Sequence, residues 1–178
     1  MSRLFPIARI MMPMTIMLAT PAAAQEAPDF FGAALCQPPY STGSATALYE
    51  AAETIAKADT STLGAAIYPL PKPIERDGFV AKAVLFAGMS VGVLLEGEVA
   101  AEAAKRYGLS AEKSHLLGAS SLGFARQLDD AEQGMQEMGL ISIVARQGPA
   151  MAGRTLLACE FVSHEDRQAL ESLEDDAP

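Results

Sequence analysis

Histidine and cysteine are nearly missing from this chain, at two residues each. The two histidines, His115 and His164, stand far apart and belong to no ligand-spaced cluster, so no metal centre is expected. Positive charge is also scarce: 13 basic residues against 22 acidic ones give a formal net charge of −9. A surface of that sign repels phosphate backbones and anionic lipid heads, which argues against nucleic acid and against polybasic membrane docking. Solubility alone accounts for the excess of acid. A long apolar run is lacking too. The candidate stretch, Ile10 to Leu18, is broken by Pro13 and falls far short of the ~20 residues a spanning helix needs. No internal repeat and no cofactor motif is present.

What the first 24 residues do contain is an ordered set of parts. Arg3 and Arg9 make a short basic start, Ile10 to Leu18 an apolar centre, and Ala22-Ala23-Ala24 a run of small residues before Gln25. That is the layout of a secretory signal peptide, with cleavage expected after Ala24 and no stable membrane insertion afterwards. Residues 25–178 then form the mature protein, enough for one domain with a real core. Removing Arg3 and Arg9 leaves eleven basic residues and a net charge of −11. The expected location is outside the cytoplasm, periplasmic or secreted.

Export changes the meaning of the two cysteines. In an oxidising compartment an even pair reads as one disulfide, so Cys36 and Cys159 are expected to be bridged. Cys36 follows Ala33-Ala34-Leu35 without an apolar targeting run directly before it, which excludes a lipoprotein anchor there.

Along the mature chain, residues 25–43 are rich in Pro and Gly and read as an extended lead-in. Leu48, Ala51, Ala52, Ile55 and Ala56 recur at helical spacing and predict a helix over 44–58. Leu63 to Tyr68 suits a short strand. Pro69-Leu70-Pro71-Lys72-Pro73 removes backbone donors and reads as a stiff loop. Phe79 to Ala87 and Val91 to Leu95 predict a hairpin turning at Gly88-Met89-Ser90. A helix over 98–107 is stopped by Gly108. From Ser110, read as an N-cap, a longer helix is expected to Met138. Its support is a stripe of Leu117, Ser121, Phe124, Leu128, Ala131, Met135 and Met138. Leu140 to Ala145 and Thr155 to Val162 read as strands. Ser163 and Asp166 resemble a capping box opening a short helix to Leu173, and residues 174–178 read as a disordered acidic tail. The expected architecture of residues 44–173 is a single α+β domain, a mainly antiparallel sheet of about four or five strands covered by helices.

One catalytic pattern occurs. Gly88-Met89-Ser90-Val91-Gly92 matches G-x-S-x-G, and His164 directly follows a late strand. Over these few residues the chain resembles the nucleophile elbow of the α/β-hydrolases, which implies Ser90 as nucleophile and His164 as base. The surroundings point elsewhere. Val93-Leu94-Leu95 continues as strand where an elbow needs a helix, and the loop from Gln147 to Gly153 carries no carboxylate to orient His164. Ser110-Ala111-Glu112-Lys113 matches S-x-x-K but lacks its companion motifs. Glu96 and Glu98 flank a turn and read as solvated charges. The leading expectation is therefore a non-enzymatic exported binding or accessory protein for an unidentified protein or small molecule. A small serine hydrolase and a subunit of a cell-envelope assembly, using a sheet edge or the Pro69–Pro73 strip, are the alternatives.

Overall fold

A computed structural model describes residues 27–62, 64–112 and 122–175. The expected signal peptide and the cleavage site after Ala24 lie outside the described residues, as does His115.

The chain runs α1 (Phe30–Ala34), α2 (Thr42–Ile55), β1 (Ala66–Arg76), β2 (Phe79–Ala87), β3 (Ser90–Glu96), α3 (Ala100–Tyr107), β4 (Ser110–Ala111), β5 (Leu122–Gln127), β6 (Gly139–Gln147), β7 (Arg154–Ser163) and α4 (His164–Asp175). All seven strands join one antiparallel sheet in the order β1-β2-β3-β7-β6-β5-β4. This corrects the expected sheet of four or five strands covered by helices. The two missed strands, β4 and β5, lie inside the span expected as one long helix, and the strand expected to end at Tyr68 runs on through the prolines to Arg76.

Local chemistry explains each element. Ser41 caps α2 and exchanges hydrogen bonds with Ser44 in a capping box. Gly108 takes the left-handed conformation (φ 66°) that closes α3. Asp166 and Ser163 hold each other at the start of α4 through bonds of 2.7 and 3.0 Å. That helix continues through Glu174 and Asp175, which the sequence placed in a disordered tail. In β3, Val91, Val93 and Leu95 face one side and join the main core, while Leu94 faces the other, as a central strand requires.

The prolines of the Pro69–Pro73 strip belong to β1 rather than to a loop. They fit there because β1 is the outer strand of the sheet and its pairing with β2 shifts register between Pro69 and Ile74. Pro69, Pro71 and Pro73 are all exposed. The long helix from Ser110 is a second correction. Ser110–Ala111 is a strand paired to β5, and Leu122–Gln127 is itself a strand paired to β6. Leu117 and Ser121 of the expected stripe lie outside the described residues. Residues 128–138 wind irregularly around Gln133. Its buried amide donates to the Leu128 and Ile141 carbonyls at 2.9 Å and accepts from the Ile141 N–H at 2.8 Å. Two hydrogen bonds to β6 and one to Leu128 outweigh a helical pattern already weakened by Gly123 and Gly134.

The described part of the lead-in, from residue 27, packs into the core. Asp29 caps α1, and Phe30, Phe31, Ala34 and Leu35 are buried in the core, where α1 packs on β3 and β7. Cys36 and Cys159 form the expected disulfide, which ties α1 to the centre of the sheet at β7. Helices α1, α2 and α3 all contribute to the larger core cluster on one face. The other face carries a smaller cluster of Ala65, Ile67, Ala83, Leu85 and Leu94. It also carries a charged triad: Arg146 of β6 makes paired hydrogen bonds to Glu112 and to Glu160 of β7 at 2.6–3.2 Å. No described helix is long and apolar enough to cross a membrane.

Candidate functional site

Ser90 opens β3 directly after the β2–β3 turn, and Ala87 is its partner across the hairpin. Its hydroxyl accepts a hydrogen bond from the Phe161 N–H at 3.3 Å, tying the hairpin to β7. His164 lies three residues past Phe161, about 10 Å farther along the chain at strand spacing. Its Nε2 is engaged by the Gln136 carbonyl oxygen at 2.9 Å. Serine and histidine are not brought together.

Both glycines of the G-x-S-x-G pattern have structural reasons instead. Gly88 has φ +54° in the tight turn, a conformation that side chains disfavour. A Cβ on Gly92 would come 2.8 Å from the Ala158 Cβ and 3.0 Å from the Leu157 carbonyl oxygen, so β3 approaches β7 more closely there than a side chain allows. The pattern is that of a hairpin packed on a neighbouring strand.

The remaining residues singled out from sequence are similarly placed. Glu96 pairs with Lys82, and Glu98 is exposed. Ser110 sits in β4, and Lys113 lies outside the described residues. Phe124, expected in the apolar stripe of a long helix, is half-buried on β5. Among the described residues no group of three His, Cys, Asp or Glu side chains is placed to hold a metal ion.

A different site emerges on the helix-bearing face. A cleft of about 510 Å³ opens where the end of α1, the β1–β2 turn, the end of α3 and strands β5 and β6 meet. Its apolar surfaces are Leu35, Leu128 and Ile143, and Cys36 of the disulfide lines it too. Around them stand Arg76, Arg106 and Arg126, with Asp77, Tyr107 and Glu132. The volume falls within the ~300–1,000 Å³ of small-molecule sites.

Each arginine reaches the cleft from a separate element. Arg76 ends β1, where the Asp77-Gly78 turn uses two positive φ angles. It pairs with Asp29 at 2.9 Å and lies 5.7 Å from the centre of the Phe31 ring, which buries part of the guanidinium against an aromatic face. Arg106 comes from the last turn of α3 and pairs with Asp77. The Tyr107 hydroxyl donates to the same carboxylate at 3.3 Å. Arg106, with help from Tyr107, holds the Asp77 carboxyl below the usual carboxylate range. Burial, reinforced by the Asp77 charge, pushes the Tyr107 hydroxyl up to about 12, so it remains a donor at neutral pH. Arg126 is half-buried on β5 opposite Ile143 and makes no ion pair with any described carboxylate.

A second cleft of about 430 Å³ lies between the start of α2 and the β2–β3 turn. Tyr40, Tyr49, Phe86 and Met89 make it largely aromatic, and Tyr49 and Met89 are exposed. The Tyr40 hydroxyl donates to the Met89 carbonyl and so fastens the turn.

None of this could be picked out as a motif. The three arginines are separated by some twenty to thirty residues each, and only the Asp-Gly turn beside Arg76 carried a local signal. Comparison of the chain with family models, with curated proteins and with solved structures finds no match.

Proposed function

We propose that this is an exported, non-enzymatic binding protein that holds a small charged ligand in the arginine cleft. The observation that carries the reading is the convergence of three arginines on one cleft in a chain of net charge −9. Chance placement of so few cations over an acidic surface would scatter them among carboxylates, and among the described residues Arg126 stands without one. Guanidinium groups recognise carboxylate and phosphate in a planar, two-pronged geometry, which suits an anionic group on the ligand. The Cys36–Cys159 disulfide supports an oxidising compartment, in keeping with the signal-like N-terminus.

The test is ligand binding by the oxidised protein, followed by NMR with labelled arginine side chains. Small carboxylates and inorganic phosphate are the first probes. A saturable shift of the Arg126 side-chain resonance, abolished in Arg126→Gln, is the expected result. Shifts that spread over surface lysines without saturating would overturn the reading.

Tyr49 and Met89 favour a second reading, a subunit of a cell-envelope assembly. The edge-based version of that idea is weakened by the prolines of β1, which lack the donors that strand addition needs. The aromatic cleft is then the contact surface. Photo-crosslinking from position 49 in cells would promote this reading if it captured one envelope protein.

A further inference from the structure

Counting the charges around the arginine cleft narrows its ligand. Arg76 is satisfied by Asp29, and Arg106 by Asp77, which also accepts from Tyr107. Two charged side chains lining the cleft are left over. One is Arg126; the other is Glu132, which makes no ion pair with any described cation. They face the same space without pairing to each other.

Neither is placed by a loose segment. Arg126 is held by the β5–β6 ladder, where it lies opposite Ile143. Glu132 ends the short turn Asp130–Glu132. Its neighbour Gln133 is buried and pinned to Leu128 and Ile141 by three hydrogen bonds. The positive and negative groups are therefore presented from two fixed pieces of backbone, Arg126 half-buried and Glu132 exposed, and Leu128 and Ile143 line the same cleft as its apolar surface. A purely anionic ligand would satisfy Arg126 and be repelled by Glu132. A purely cationic one would meet the reverse. A molecule with both charges, a few bonds apart, and an aliphatic remainder satisfies all three surfaces.

We infer that the cleft takes a zwitterion of the amino-acid type: an aliphatic α-amino acid or short peptide. Its carboxylate lies on Arg126, its ammonium on Glu132, and its side chain on Leu35, Leu128 and Ile143. This rests on the proposed function of the same cleft and adds the ligand class to it.

The experiment titrates the oxidised mature protein with L-leucine, L-valine and L-alanyl-L-leucine. Each is compared with an N-acetylated form, which lacks the ammonium, and an amidated form, which lacks the carboxylate. Loss of one charge-assisted contact is expected to weaken binding on the order of 10–100-fold. Arg126→Gln should erase the preference for the free carboxylate, and Glu132→Gln should erase the preference for the free amine. Unchanged thermal melts establish that both variants are folded. Acetylated ligands that bind as well as the free ones, more tightly still in Glu132→Gln, would overturn the inference and leave an anion cleft standing. Absence of saturable binding by these zwitterions, while acetate or phosphate also fails to shift Arg126, would overturn both readings together.

Discussion

Removing the Cys36–Cys159 bridge is the perturbation whose size follows most directly from the structure. The two cysteines are 123 residues apart in sequence, so the bond closes most of the described chain into one loop. For a loop of that length the chain-entropy model gives about 5 kcal/mol at 25 °C, before any strain in the folded state is subtracted. Losing a native bridge commonly costs about 2–5 kcal/mol, and the replacement itself is mild here. Cys159 is fully buried and Cys36 nearly so, and two alanines leave only small voids. The Cys36→Ala/Cys159→Ala double variant should therefore lose about 3–5 kcal/mol in urea unfolding. Its m-value should rise, because an uncrosslinked denatured chain exposes more surface. Loss of ligand binding should accompany this, since Cys36 is part of the cleft and α1 carries one of its walls. A loss under ~1 kcal/mol with an unchanged m-value would refute the reasoning. It would mean that the denatured chain is already as compact as the bridged one.

Four further outcomes are expected. Arg146→Met leaves Glu112 and Glu160 facing each other unpaired, their side chains only 16% and 20% exposed, and should cost about 3–5 kcal/mol at neutral pH. Urea melts at neutral pH measure the loss. Gly92→Ala forces a Cβ against Ala158 and the Leu157 carbonyl oxygen and should destabilise by about 1–3 kcal/mol by thermal melting. Ser90→Ala should lose only the bond from the Phe161 N–H, about 0.5–1.5 kcal/mol, and a fluorophosphonate probe should leave Ser90 unlabelled in the parent protein. The Asp77 carboxyl should titrate below the usual carboxylate range by carbon NMR; because its folded value is lowered, the contact with Arg106 is present at neutral pH and lost as acid brings the pH through that value.

Elements defined by their own neighbours were legible in the sequence. The β2–β3 hairpin follows from a glycine turn between two apolar runs, α3 from its terminal Gly108, and α4 from the Ser163–Asp166 exchange. Elements defined by distant partners were not. Three prolines argue against a strand only when both of its edges must be paired, and on its outer edge β1 carries a single bridge, from Ile67 to Asp59, ahead of the prolines. Phe124, Arg126 and Leu128 alternate as a strand should, with an arginine at the middle position. That arginine hid the alternation, and the fours and threes from Phe124 to Met138 made a helix look better supported.

The arginine that misled the fold reading is the one on which the site turns. A charged side chain on a core-facing strand position is costly unless something compensates it. Arg146, on the other face of the sheet, is compensated by two carboxylates. Burial opposes its charge, yet Glu112 and Glu160 outweigh that and hold the guanidinium above its ordinary value. Among the described residues Arg126 has no such pair, although Glu132 lines the same cleft and the chain is rich in acid. A sequence under pressure only to fold would place leucine beside Leu128 and Ile143, closing the cleft and removing the cost. Keeping an unpaired cation there makes physical sense when an external carboxylate completes it. By that argument Arg126→Leu should raise the melting temperature while abolishing ligand binding, and a variant that is less stable than the parent would count against a ligand at this position.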